Sequence, residues 1–228
     1  MSQLYRIGLN INDIEEESLR RSGMKYTVVN PKEQILISAK NVVGKPYKRG
    51  ASVLKDAPNY FDCSSLVAWV AVESGLSIPR ISIDQYVFSK KISKEELQPG
   101  DLVFANTKET IHNEGTYYSQ VLGKNIKEEA IRTVSVEYLP GAVIPEGVDH
   151  VGIYIGDNRV VHSSSKKKGV SVELLSQSES FKNIIGYGRI IPEEERRFVI
   201  EIPESREDLR YKIKLIEEIK GINSLIRG

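Results

Sequence analysis

The stretch Asn59-Tyr60-Phe61-Asp62-Cys63-Ser64-Ser65-Leu66-Val67-Ala68-Trp69-Val70-Ala71-Val72-Glu73-Ser74-Gly75 decides how this chain folds, and it holds the one cysteine among 228 residues. Asp62 or Ser64 can cap a helix that carries Cys63 in its first turn, and Gly75 marks the end. Leu66 through Val72 are apolar almost all the way round, so the pattern predicts a helix buried in the middle of its domain. A thiol at a helix N-terminus feels the positive end of the dipole, which favours thiolate. The bland alternative is a small buried hydrophobe, the commoner fate of a free cysteine.

Upstream, Ile11 to Arg21 reads as one amphipathic helix and Lys25 to Val29 as a brief strand. Asn30-Pro31-Lys32-Glu33 supplies a cap, a proline at the first helical position and an acid in the first turn. Ile35, Leu36, Ala39, Val42 and Val43 form the apolar face of that helix. Downstream, Ser82 to Ser89 makes a short helix, and Ser93 to Glu96 has a capping-box pattern. Gln98-Pro99-Gly100-Asp101 suits a type II turn before the strand Leu102-Val103-Phe104. Residues 105–149 read as an inserted excursion, with Thr133 to Tyr138 alternating like a strand. His150 to Ile155 and Arg159 to Ser163 are strands joined by Gly156-Asp157-Asn158, and two more follow at Val170 to Leu174 and Ile185 to Ile191. Lys166-Lys167-Lys168 reads as a solvated hairpin tip. Helices first and strands after predict an α+β fold with an antiparallel sheet packed on the cysteine helix.

Charge excludes some classes of partner. The 32 Lys and Arg balance 31 Asp and Glu to a net +1, so no global field draws in nucleic acid or an anionic membrane. One cysteine rules out an intramolecular disulfide. No stretch reaches the length of a membrane span. No basic region followed by an apolar run opens the sequence, so a cytoplasmic location is expected, or a cell-envelope or extracellular one reached by a non-standard route.

The hairpin register brings two histidines together. With a three-residue loop of Gly156, Asp157 and Asn158, Ile155 faces Arg159 and Gly152 faces His162. His150 and His162 then project from one face. A two-residue loop would send them to opposite faces. A cysteine nucleophile needs a base within reach and a third group to orient that base. His150 fits the base and His162 the orienter, with an imidazolium and the dipole both lowering the thiol's pKa. A zinc site built from Cys63, His112, His150 and His162 is the rival, weakened by the lack of any short ligand spacing. No metal and no cofactor is expected.

Phe61-Asp62-Cys63-Ser64-Ser65-Leu66-Val67, Ile78-Pro79-Arg80-Ile81-Ser82-Ile83-Asp84-Gln85, Leu97-Gln98-Pro99-Gly100-Asp101-Leu102-Val103-Phe104, and His150 to Gly156 through Val161-His162 resemble, in that order, the motifs of the NlpC family of cell-wall cysteine peptidases. Several linked motifs in order are more specific than any one of them. The resemblance covers roughly residues 31–192. It implies a papain-like α+β fold and hydrolysis of peptidoglycan stem peptides, typically at the bond following γ-D-glutamate, through a thiolate and an acyl-enzyme. It makes Cys63 the nucleophile, His150 the base and His162 the third polar group. Tyr47 matches a tyrosine near the nucleophile that, with the Cys63 N–H, could stabilise an oxyanion. Asp62, Ser64 and Ser82 fall where members that need a free N-terminal L-alanine hold its amine, although for Asp62 and Ser64 helix capping explains the residues equally well. The chain departs from the family pattern in three places: Ser65 stands for a glycine, the spacer between Tyr47 and Cys63 is longer, and residues 105–149 separate Phe104 from the histidine.

The expected organisation is a lead-in at 1–30, a peptidase domain at 31–192 with its insertion at 105–149, and a charged linker with a C-terminal amphipathic helix at 193–228. Leu209, Ile213, Ile216 and Ile219 stripe that helix as a docking face or a dimer seam across 205–225. An acyltransferase or amidase of the same fold, acting on a non-murein amide or ester, remains the alternative function. A zinc-binding, non-enzymatic module stands behind both.

Overall fold

The computed structural model describes residues 4–108, 115–127, 137–139, 142–143, 147–191 and 196–203. In chain order the elements are β1 (Leu4–Asn10), α1 (Glu16–Arg21), β2 (Tyr26–Val29), α2 (Pro31–Asn41), α3 (Cys63–Glu73), α4 (Ser82–Phe88), β3 (Lys90–Ile92), β4 (Leu102–Ala105), β5 (Thr116–Ser119) and β6 (Lys124–Lys127). The short pair β7 (Glu137–Leu139) and β8 (Ala142–Val143) follows, then β9 (His150–Gly156), β10 (Arg159–Ser164), β11 (Gly169–Leu174), β12 (Ile184–Arg189) and β13 (Arg197–Pro203). The expected C-terminal helix with its 205–225 seam, His112, and most of the strand expected at 133–138 lie outside the described residues.

The α+β expectation holds. Six strands form one sheet in the order β11-β10-β9-β4-β12-β3, every pairing antiparallel. Against it lies α3, whose residues Ser64 to Ala71 are all buried except Trp69. Leu66, Val67 and Val70 share a core with Leu102, Phe104, Val151, Ile153 and Val161. A helix apolar all round belongs there, since every face meets side chains rather than water. The alternate residues of the strands point the other way, where Val103, Ala105 and Val160 pack with Phe181.

Both helix starts are built as their sequences indicate. The Asn30 side chain accepts from the N–H groups of Lys32 and Glu33. Asp62 and Ser65 form a reciprocal capping box at the start of α3. Between Asp62 and Ser64, it is Asp62 that caps the helix.

Two regions depart from the sequence reading. The helix expected from Ile11 begins only at Glu16, and residues 4–10 are a strand. That strand pairs with β13, which lies where a charged connection was expected, and β13 pairs in turn with β2. Phe198, Ile200 and Ile202 of β13 pack with Ile14 and Leu19 in a second core. Arg197 opens that strand in a run of charges, which masks its short apolar alternation. An ion pair from Arg6 to Glu73 fastens the small sheet to the end of α3.

The hairpin turn differs from the three-residue loop expected. Asp157 and Asn158 form a two-residue turn, both at positive φ, with Gly156 paired to Arg159. Taken alone, that turn would invert the faces. However, Ile155 is bulged out at this point, and beyond it Tyr154 pairs with Val160 and Ile153 with Val161. Gly156 absorbs the extra residue at φ +91°, open to glycine and strained for other residues. The bulge restores the register that sets Gly152 beside His162.

Candidate active site

Cys63 is the first residue of α3, and β9 begins beside it. The thiol donates to the carbonyl of Asp149, 3.7 Å away and one residue before His150. Tyr47, Cys63, Thr107, Asp149, His150, Ser163, Ser164, Lys166 and Ser180 line one small cleft at this junction. The segment ahead of Cys63 is pinned from two sides. Ser163 Oγ donates to the Phe61 carbonyl at 2.8 Å, and Tyr47 bridges Phe61 through the backbone. That bridge brings Tyr47 to the cleft across its long spacer.

The two histidines meet as the register predicts. His150 Nε2 and His162 Nδ1 lie 2.8 Å apart, with the rings nearly perpendicular. His162 is fully buried and His150 nearly so. Phe181 covers both rings at 5.1 and 5.2 Å between centroids. A Cβ at Gly152 would stand 2.8 Å from the Phe181 ring, 2.6 Å from Val160 and 3.1 Å from His162 Cβ. Only glycine leaves room for this stack. His162 engages Nε2 of His150, leaving Nδ1 as its other ring nitrogen, while the thiol's hydrogen bond goes to the Asp149 carbonyl.

The charge state of the thiol overturns an expectation. Burial first, then the carboxylates of Asp62 and Asp149, push Cys63 up to about 12, against smaller opposing effects of Arg80 and the Val151 N–H. From its ordinary 9.0 this corresponds to about 4 kcal/mol. A helix dipole supplies about 0.3–1 kcal/mol, so it loses. Burial, and then the neighbouring His162, hold His150 well below 6.5, so no imidazolium is present at neutral pH to offset this. The resting pair is a neutral thiol and a neutral imidazole. Burial, with Cys63 and Asp62 nearby, raises Tyr47 and keeps it a phenol with a proton to donate.

The remaining expected residues are committed elsewhere. Asp62 accepts from Ser65 N at 2.7 Å and Ala51 N at 3.1 Å, and pairs with Arg80 Nη2 at 2.5 Å. Arg80 Nη1 also donates to Ser64 Oγ at 2.8 Å. Ser82 is buried, its hydroxyl given to the Val148 carbonyl at 2.7 Å. Among the described residues, no group of three or more His, Cys, Asp or Glu is arranged to hold a metal. No described helix is long and apolar enough to cross a membrane.

Several contributors escaped the sequence reading. Thr107 donates both its N–H and its hydroxyl to Asp149, at 2.7 and 2.6 Å, fixing the residue before His150. Arg80 lies in the stretch Ile78 to Gln85, yet its partner Asp62 lies 18 residues away. Glu173 Oε2 lies 2.9 Å from His162 Nε2. Its signal was the register of β11, where Glu173 faces Val160 and so shares a face with His162. Part of the insertion is also placed. Ser119 Oγ, Gln120 N and Val121 N all donate to buried Asp84, and Arg49 reaches the Tyr117 hydroxyl at 3.3 Å.

Residues 44–142 match the model of the NlpC/P60 family. The chain is 32% identical over 152 residues to a probable endopeptidase p60 of Listeria grayi, covering 67% of this chain and 21% of that protein. It is 28% identical over 158 residues to the bifunctional muramidase/DL-endopeptidase CwlT of Bacillus subtilis, covering 69% and 36%. The chain therefore spans about a fifth to a third of the length of these relatives. A solved NlpC/P60 family protein from Bacillus cereus ATCC 10987 superposes with a TM-score of 0.50 at 24% identity, over 71% of this chain and 40% of that one. This likeness bears on the fold, which is papain-like. The family match stops at residue 142, short of both histidines.

Proposed function

Given that the chain carries an NlpC/P60 family domain, we propose that it is a cysteine peptidase hydrolysing peptidoglycan stem peptides, cutting after γ-D-glutamate. One observation carries this reading: the sole cysteine opens a buried helix in the cleft that His150 lines, and His150 is itself held by His162. Curated relatives named as endopeptidases, a DL-endopeptidase and a gamma-DL-glutamyl hydrolase supply the substrate class.

Chemistry starts from the neutral pair. As Cys63 Sγ attacks the scissile carbonyl carbon, its proton passes to His150 Nδ1. A thiol that shifts from the Asp149 carbonyl to the imidazole as substrate binds fits the general tightening of such contacts in complexes. The oxyanion is met by the Cys63 N–H, which has no acceptor within its helix, and by the Tyr47 hydroxyl. His150 returns the proton to the leaving amine, and water, activated by the same nitrogen, then releases the acyl group. A substrate amine recognised by Asp62 and Ser64 would have to share their oxygens with Arg80.

The test is mass spectrometry of defined muropeptides incubated with the protein. Diaminopimelate-containing products are expected from the wild type and none from Cys63→Ala. Products from that variant, or wild-type cleavage confined to protein or lipid amides, would reject the reading.

A further inference from the structure

His162 is held on both ring nitrogens, and its second partner belongs to neither the helix nor the hairpin that build the cleft. We propose that Glu173 is a positioning residue of this site: through His162 it sets the tautomers of both imidazoles, leaving the lone pair of His150 Nδ1 free for Cys63. The proposal rests on Cys63 and His150 being nucleophile and base.

A carboxylate only accepts hydrogen bonds. Facing Glu173 Oε2 at 2.9 Å, His162 Nε2 must therefore carry the proton. In neutral His162, Nδ1 is then bare and accepts from His150 Nε2 at 2.8 Å. His150 thus carries its proton on Nε2, and its bare nitrogen is Nδ1. Reverse any link and Nδ1 of His150 becomes a donor, useless as a base. The same follows if His162 becomes imidazolium, because its Nδ1 would then donate.

The surroundings hold both groups in the required state. Ser178 Oγ donates to Glu173 Oε2 at 2.5 Å, and Lys167 Nζ pairs with Oε1 at 2.6 Å. Burial opposes ionisation of Glu173, yet these contacts and His162 hold it below the usual carboxylate range. Burial also keeps His162 below its ordinary value, although Glu173 pulls the other way. Glu173 from β11, His150 from β9 and Lys167 from the intervening turn are the charged or titratable groups acting on His162, and Lys166 adds its charge toward His150. Phe181 closes the remaining side. A mere surface ion pair between Lys167 and Glu173 would explain only one of the three contacts this carboxylate makes.

Nitrogen-15 NMR of the imidazoles in the full chain at neutral pH reads the tautomers directly. Both histidines are expected to be protonated on Nε2; an Nδ1-protonated form of either overturns the proposal. In Glu173→Leu, which removes the acceptor, alkylation of Cys63 by iodoacetamide should slow on the order of 10- to 100-fold. Glu173→Asp, which keeps the carboxylate, should recover part of the loss. Wild-type alkylation in Glu173→Leu also overturns the proposal. Should that variant fail to fold, the wild-type tautomers decide. Neither readout uses a peptide, so a wild type that cleaves no muropeptide removes the substrate assignment without touching this one.

Discussion

Arg80 closes on Asp62 at 2.5 Å, so the carboxylate that caps the nucleophile's helix is also one half of an ion pair, its side chain only 10% exposed. The negative charge immediately before Cys63 is one reason the thiol stays protonated. Asp62→Asn retains an oxygen for the cap and removes that charge. Cys63 should then ionise at lower pH, and its alkylation-rate profile should move toward acid. An unchanged profile would show that burial alone sets the thiol.

Arg80→Ala acts on the same pair from the other side. It leaves Asp62 buried and uncompensated, at a cost of about 3–5 kcal/mol. Thermal unfolding should show the loss. Cys63 should also alkylate more slowly at a given pH, since Arg80 opposes the rise of its pKa. A variant as stable as the wild type would mean that water reaches Asp62.

The pH dependence follows from two depressed imidazoles. Burial lowers both His150 and His162 from 6.5 in the folded chain. An unfolded chain therefore takes up protons below pH 6.5 that the folded one refuses, so stability falls as pH drops from there toward the folded values. Hydrolysis needs His150 unprotonated, and its acid limb should lie below 6.5. Chemical denaturation at stepped pH and a kcat/KM profile check the two halves. An acid limb at or above 6.5 would contradict the burial of His150.

Gly152→Ala places a methyl group against Val160, Phe181 and His162. Overpacking of this kind costs about 1–3 kcal/mol. Because the displaced groups are the orienting ring and its cover, kcat should fall more than KM changes. Steady-state kinetics on a muropeptide measures this, with circular dichroism to confirm folding. A fall in Tm with kcat untouched would show that the stack serves stability alone.

Asp84 fastens part of the insertion to α4 through three donors, and is itself fully buried. Asp84→Ala removes the acceptor shared by Ser119 Oγ and the N–H groups of Gln120 and Val121, at about 1–3 kcal/mol in all. Hydrogen exchange at residues 116–127 should accelerate selectively. Uniform exchange across the chain would instead mark a global destabilisation.

Local chemistry determined much of this protein in advance. A cap, an all-round apolar run and a terminal glycine specify the cysteine helix without help from the rest of the chain. The Gly156-Asp157-Asn158 turn marked β9 and β10 as a hairpin, and β11 and β12 were legible as strands for the same reason: the signals lie in neighbouring residues. The pairing of His150 with His162 was also legible, though through the wrong turn, because the bulge at Ile155 restores what a two-residue loop would have reversed. The tertiary structure alone decided the rest. Whether Cys63 is a thiol or a thiolate depends on burial and on Asp149, 86 residues away. The place of Glu173 depends on a third strand's register, and β1 finds β13 across nearly the whole chain. Charge states and long-range pairings come from neighbours that sequence distance hides, so they take form only once the chain has folded.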